Sequence, residues 1–193
     1  LGTATGSLTN ELITMVDNQG SGTVFTGWIP TGGETIPNDS WTHIAFVWDG
    51  SKYVIYYNGQ PQTVTASDTG HVGLHTNRNI KIGTGNTGDI PFDGDMTGVA
   101  FWNKSLTDAQ ILSIYNNGRH SNLYTDFSDN LITYLAFGNL DATSGFEDTS
   151  STIYDRSGNS NHGTVSGTTL QSPPNAEPNG YAKGDTNRST TTP

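Results

Sequence analysis

Residues 41–60 read Trp-Thr-His-Ile-Ala-Phe-Val-Trp-Asp-Gly-Ser-Lys-Tyr-Val-Ile-Tyr-Tyr-Asn-Gly-Gln: two apolar runs of strand length, separated by Asp49-Gly50 and closed by Asn58-Gly59. Asp-Gly and Asn-Gly beside such runs mark tight turns, because these residues accept a left-handed backbone at little cost. The segment predicts a β-hairpin that turns again after Tyr57. In its first strand Ile44, Phe46 and Trp48 fall on one face, while Trp41, His43, Ala45 and Val47 fall on the other. Both faces are largely apolar, which predicts a strand in the middle of a sheet, covered on both sides.

The remaining sequence also suits strands and turns. The 193 residues include 24 Gly, 29 Thr and 18 Asn, with 32% hydrophobic and 13% charged residues, a mixture that disfavours a helical bundle or coiled coil. A chain of this length fits one domain and buries about two-thirds of its unfolded surface, so it needs no disulfide or metal to fold. Further strands are predicted at 12–17, 23–29, 63–65, 80–82, 96–102 and 131–137, with a last one beginning at Thr164-Val165. One helix is predicted from Thr107, which stands as N-cap with Gln110 three residues on, a capping-box pair. Ile111, Leu112, Ile114 and Tyr115 give its apolar stripe, and Gly118 its C′ residue. Short strands at this spacing predict an all-β sandwich over residues 1–170. From Pro173 onward the chain is rich in Pro, Asn and Thr, so 171–193 reads as an extended tail or linker.

The charge balance narrows the partners. Eight basic against 18 acidic residues give a net charge of −10, unsuited to the phosphate backbone of nucleic acid or to anionic membranes. No apolar run approaches the ~18 residues of a membrane-spanning helix. With no cysteine, disulfides, thiolate metal sites and a Cys nucleophile are excluded. The start at Leu1, without a signal-peptide pattern, is expected of a processed product or of a segment of something longer.

Three stretches together resemble the laminin-G-like, concanavalin A-type jelly-roll domains. The first is Trp41-Thr-His-Ile-Ala-Phe-Val-Trp-Asp-Gly followed by Tyr56-Tyr-Asn-Gly59. The second is Ile80-Lys-Ile-Gly83, then Phe92-Asp-Gly94 to Phe101-Trp102, then Leu106-Thr-Asp-Ala-Gln-Ile111. The third is Tyr154-Asp-Arg-Ser-Gly-Asn-Ser-Asn-His-Gly163. The resemblance implies a two-sheet antiparallel jelly-roll β-sandwich with one short edge helix. It speaks to fold more than to function. In that family the Asp-Ser-Gly-Asn loop usually opens the domain, whereas here it follows the helix. Residues 126–170 are therefore a permuted segment closing its own sandwich, part of a neighbouring repeat, or a segment swapped onto a neighbour. The first is favoured. The family often carries an acid in the strand matching 96–102, where this chain has Thr97 and Gly98.

The chemistry-bearing residues divide into four groups. Retaining glycosidases flank the bond with two carboxyls about 5 Å apart, and a strand would supply them at i, i+2. The best such pair, Asp93 and Asp95, sits in a Phe-Asp-Gly-Asp turn, and all four Glu are isolated, so no catalysis is expected. His43 reads as a structural histidine, and His71 and His75 as solvated loop residues. Asp155, Ser157, Asn159 and Asn161 alternate at positions 1, 3, 5 and 7 of a tight loop. That spacing supplies oxygens to Ca²⁺, or staples an Asx-type turn by side-chain-to-backbone bonds. Trp28, Tyr56, Tyr57 and Trp102, with Asp93, are the candidates for stacking on and hydrogen-bonding to a sugar, against the alternative of core packing. Loops 30–40 and 83–94 are the natural places to hold such a ligand. Asn38, Asn103 and Asn187 head Asn-x-Ser triplets and are candidate glycosylation sites.

The expected function is that of a non-catalytic adhesion or glycan-recognition module in an extracellular or virion-surface structural protein of tail, fibre or decoration type. Its partners would be surface glycans or polysaccharide, and neighbouring protomers or structural proteins, with no nucleic acid and no membrane insertion. A structural assembly subunit that binds no sugar and a divergent polysaccharide hydrolase are the alternatives.

Overall fold

The computed structural model describes residues 14–17, 25–30, 40–49, 53–62, 64–66, 80–84, 92, 94–117, 123–137, 148–167 and 181–184. In chain order the elements are β1 (Thr14–Asp17), β2 (Phe25–Pro30), β3 (Thr42–Trp48), β4 (Tyr53–Tyr57), β5 (Gln60–Gln62), β6 (Val64–Ala66), β7 (Gly94–Thr97), β8 (Val99–Trp102), α1 (Asp108–Asn117), α2 (Leu123–Asp126), β9 (Leu131–Leu135), β10 (Thr152–Ile153), β11 (Gly163–Thr164) and β12 (Tyr181–Gly184). The chain divides into two units, residues 1–40, 62–95 and 183–193, and residues 41–61 and 96–182.

In the first unit the described strands form an antiparallel sheet in the order β1-β2-β6, with Met15 opposite Gly27 and Ile29 opposite Thr65. The strand expected at 80–82 does not form. Ile80 is 71% exposed, and the chain turns away at Gly83, whose φ of 77° is left-handed. Phe92 N–H then donates to Gly83 O at 2.8 Å.

The second unit contains the hairpin. β3 and β4 pair antiparallel with Ala45 opposite Tyr56 and Phe46 opposite Ile55, and the sheet order is β5-β4-β3-β12-β7. β3 is thus central, as its two apolar faces require. Asn58 and Gly59 link β4 to β5 with φ of 49° and 75°, the paired positive values of a type I′ turn. Asn58 also holds the adjacent strand: His43 N–H donates to Asn58 Oδ1 at 3.0 Å, and Asn58 N–H to His43 O at 2.9 Å. A Cβ on Gly59 would lie 2.9 Å from Leu112 Cδ1 and 3.1 Å from Tyr115 Cβ. Gly59→Ala therefore meets both a disfavoured φ and a crowded helix face, and should destabilise by about 1–2 kcal/mol in urea unfolding.

The helix starts where its cap is written. Thr107 N–H donates to Gln110 Oε1 at 2.9 Å and Gln110 N–H to Thr107 Oγ1 at 3.3 Å, the reciprocal capping box. Leu106 and Ile111, the N′ and N4 positions of a hydrophobic staple, both enter the core. That core joins Val47 and Tyr56 of the hairpin, Ile111 and Ile114 of α1, Leu123 of α2, and Leu131, Tyr134 and Ala136 of the β9 segment.

The strand expected over 96–102 is two strands. Gly98 adopts φ 58°, and the break sends β7 and β8 into different sheets. β8 pairs with β9, Val99 opposite Leu135 and Ala100 opposite Tyr134. β10 and β11 form a small antiparallel hairpin, and a bridge between Leu135 and Asp155 joins the segment after β10 to β9. In the stretch read as an extended tail, β12 pairs with β3, Tyr181 opposite His43 and Ala182 opposite Thr42.

Candidate functional site

The residues singled out for a cation, Asp155, Ser157, Asn159 and Asn161, form one connected cluster in the second unit. An isolated bridge sets Asp155 against Leu135 of β9. Asp155 is 3% exposed. Its Oδ1 accepts Tyr134 N–H at 2.8 Å and Ser157 N–H at 2.9 Å. Its Oδ2 accepts Asn161 N–H at 2.9 Å and lies 2.9 Å from Ser157 Oγ. The single Ser157 hydroxyl proton is shared between that oxygen and Ile132 O, also 2.9 Å away. Asn159 Nδ2 donates to Leu131 O and Ile132 O at 3.0 and 2.9 Å, and Asn161 Nδ2 donates to Ile132 O at 3.0 Å. Burial pushes the Asp155 carboxyl up. The amides of Tyr134, Ser157 and Asn161, with the Ser157 hydroxyl, outweigh this and hold it below its usual value. His162 completes the turn, its Nδ1 accepting Asp155 N–H at 3.1 Å and its ring meeting Tyr154 edge-on at 5.0 Å between centroids.

A second polar contact joins the hairpin to the helix. Tyr56 Oη donates to Asp108 Oδ1 at 2.6 Å across 52 residues. Asp108 stands in the first turn of α1, where a carboxylate also meets the positive end of the helix. Burial, the hydrogen bond to Asp108 and the charges of Asp108 and Asp49 push the Tyr56 phenol up to about 12. Tyr56→Phe removes the bond and keeps the ring, and should cost about 1–2 kcal/mol by chemical denaturation. The only hint in the sequence is an acid placed just after an N-cap.

The sugar candidates are not gathered at one place among the described residues. Tyr57 is 6% exposed and belongs to the packed sheet, sharing a face with Ile55. Trp102 packs against the core, and its indole N–H donates to Phe127 O at 2.9 Å. Trp28 lies on β2 in the first unit, and its side chain falls outside the described residues. Asp93 also falls outside them, as do His71, His75, Asn38, Asn187 and nearly all of loops 30–40 and 83–94. Asp95 lies on β7, half-buried, and Asn103 is exposed just after β8. His43 is 3% exposed, inside the sheet as a structural histidine would be. Among the described residues no group of three or more His, Cys, Asp and Glu is placed to hold a metal ion, and no helix is long and apolar enough to cross a membrane.

A β-rich chain built on antiparallel ladders, with a capped helix packed against the hairpin, has the mostly-strand, antiparallel character that its motifs imply. The model of the concanavalin A-like lectin/glucanase superfamily, laminin G type, matches residues 5–112. That is more than half of the chain, and the protein belongs to this family. No curated protein and no solved structure matches it.

Proposed function

We propose that the chain is a non-catalytic recognition module, binding surface glycans or polysaccharide through rim loops within an extracellular or virion-surface structural protein. The observation that carries this reading is the burial of β4 on both faces. Ile55 and Tyr56 are consecutive, point to opposite sides, and are 1% and 2% exposed. A sheet filled on both sides at its hairpin offers no open floor for a catalytic cleft, which leaves the loops to meet a ligand. The carboxylates also favour it: Asp155 is committed to main-chain amides and Asp108 to Tyr56. Trp28 and Asp93, both in the first unit, are the residues on which sugar recognition then rests, since Tyr57 and Trp102 serve packing.

Glycan-array screening and affinity electrophoresis in laminarin, agar and alginate gels test the reading. Binding should weaken roughly tenfold in Trp28→Ala, the loss of about 1.4 kcal/mol of ring stacking. Silence on every glycan would favour an assembly subunit without sugar binding. Turnover of a polysaccharide that Asp93→Asn or Asp95→Asn abolishes would favour a hydrolase.

The 155–161 loop we read as a self-satisfied staple rather than a calcium site. Ca²⁺ needs oxygens with lone pairs turned to a common point, whereas both Asp155 oxygens accept internal donors and both Asn amides donate to carbonyls of β9. The donor set as arranged does not fit the ion. The melting temperature should be the same in EDTA as in excess calcium.

A further inference from the structure

The two rims of β3 are not filled alike. His43 N–H and O both turn to Asn58, the residue after β4. The N–H and C=O of one residue in a strand point to the same side, and that side alternates along the chain. The main-chain groups of His43, Ala45 and Val47 therefore face β4, and those of Thr42, Ile44 and Phe46 face the opposite rim. β12 lies along that rim, but its register covers only Thr42, opposite Ala182, and His43, opposite Tyr181. Among the described residues no other strand flanks β3 there. Continued by the same register, the chain would set Gly180 against Ile44 and Pro178 against Phe46. Proline has no N–H to donate, so the chain's own segment cannot complete the ladder at Phe46.

We propose that this rim of β3 is a strand-acceptor site for an extended, proline-free peptide segment of a partner protein, carrying apolar residues at alternate positions. The incoming segment takes the register of β12 and continues it along Ile44 to Trp48. β12 shows that the rim accepts an antiparallel strand through its main chain, since its sequence, Tyr-Ala-Lys-Gly, carries a charge and a glycine and no apolar alternation. In strand addition the main-chain bonds supply affinity, and side chains at alternate positions choose the partner. Ile44, Phe46 and Trp48 lie on one face of β3; the first two are half-buried and Trp48 is 38% exposed. Residues directly opposite in an antiparallel pair share a face, so the apolar residues of the incoming segment would meet these three. The chain's own residues at those register positions, Gly180, Pro178 and Ala176, bring at most small side chains. A partner segment therefore gains main-chain bonds and apolar contact that the chain does not supply for itself. The site is separate from the loops assigned to sugar.

Fluorescence anisotropy on the full chain, with a labelled synthetic peptide of residues 174–184, tests this. The peptide carrying Ala176→Val, Pro178→Val and Gly180→Val should bind saturably. It should bind roughly tenfold tighter than the same peptide with Pro178 kept, because the proline forfeits one ladder bond. Hydrogen exchange of the free chain should show the amides of Ile44 and Phe46 opening faster than that of Ala45, and both should slow when the peptide binds. In the full-chain variant Pro178→Val the chain itself should lengthen β12. The same two amides should then slow without peptide, and the affinity for the peptide should fall several-fold because the tethered strand competes for the rim. Peptides that bind equally with and without the proline would overturn the proposal. So would Ile44 and Phe46 amides that the bound peptide leaves unchanged, since the peptide would then sit elsewhere. Should Pro178→Val fail to fold, the two peptides and the exchange of the wild type decide by the same criteria.

Discussion

Replacing Asp155 by alanine should lower the unfolding free energy by about 3–5 kcal/mol and the melting temperature by about 10 °C or more. The size follows from what the carboxylate holds. Three main-chain N–H groups, of Tyr134, Ser157 and Asn161, converge on it, and at 3% exposure little water replaces it. A buried donor left without its acceptor costs roughly 1–3 kcal/mol. The loss exceeds that of an ordinary surface turn because Tyr134, itself 1% exposed, anchors β9 in the core. Asp155→Asn keeps one acceptor oxygen but turns an amide NH₂ toward N–H donors, and should cost about 2–3 kcal/mol. Ser157→Ala removes a hydroxyl shared between two acceptors and should cost about 1 kcal/mol. That order, alanine above asparagine above the serine change, is the quantity to check by urea unfolding. Asp155→Ala within 1 kcal/mol of wild type would show that the loop is not the staple of β9. The sign of the acid response follows from the same bonds. A carboxylate held below its ordinary 3.8 contributes stability that is present above that value and is lost as pH falls through the folded-state value.

The parts of this molecule legible in its sequence are those set by neighbours along the chain. The hairpin follows from two apolar runs and the Asn58-Gly59 turn, and the helix from Thr107 and Gln110. Both depend on contacts within a few residues. What escaped depends on distant partners or on one dihedral angle. Met96 to Trp102 reads as continuous strand, and the positive φ of Gly98 alone assigns its halves to different sheets. Ile80-Lys-Ile82 has strand composition, but composition does not provide a partner. β12 lies in a stretch without a core-forming pattern, and its pairing to Thr42 and His43 comes from the opposite end of the sequence. The candidate site was half legible. The alternation of Asp155, Ser157, Asn159 and Asn161 announces a loop that organises polar groups. Whether those groups face an ion or a strand turns on the carbonyls of Leu131 and Ile132, 27 to 29 residues earlier, which no local spacing reveals. The aromatic candidates show the same limit, since Tyr56 and Tyr57 look equivalent and only the structure shows which ring reaches Asp108.

Acid should weaken the fold well before the carboxylates titrate, because of His43. This side chain is 3% exposed, and its strand is fixed on both main-chain atoms by Asn58. Its ring lies 5.8 Å from that of Tyr115 on α1. Burial disfavours the imidazolium and lowers the His43 pKa from 6.5 to about 4. Between those two values the unfolded chain binds a proton that the folded chain refuses, so stability falls as pH falls. The contribution is complete above pH 6.5, declines through the interval, and is gone below about 4, a total loss of about 3 kcal/mol at 1.36 kcal/mol per unit. Urea unfolding at intervals from pH 7 to pH 4 should trace that decline. His43→Phe, with a ring of similar size and no proton to bind, should flatten it whatever its effect at neutral pH. The slope, rather than the absolute stability, isolates the histidine, because cavity and packing changes shift the whole curve without tilting it. An NMR titration in which the His43 ring protons move with a midpoint near 6.5 in the folded protein would defeat the argument, as would a wild-type slope that His43→Phe leaves in place.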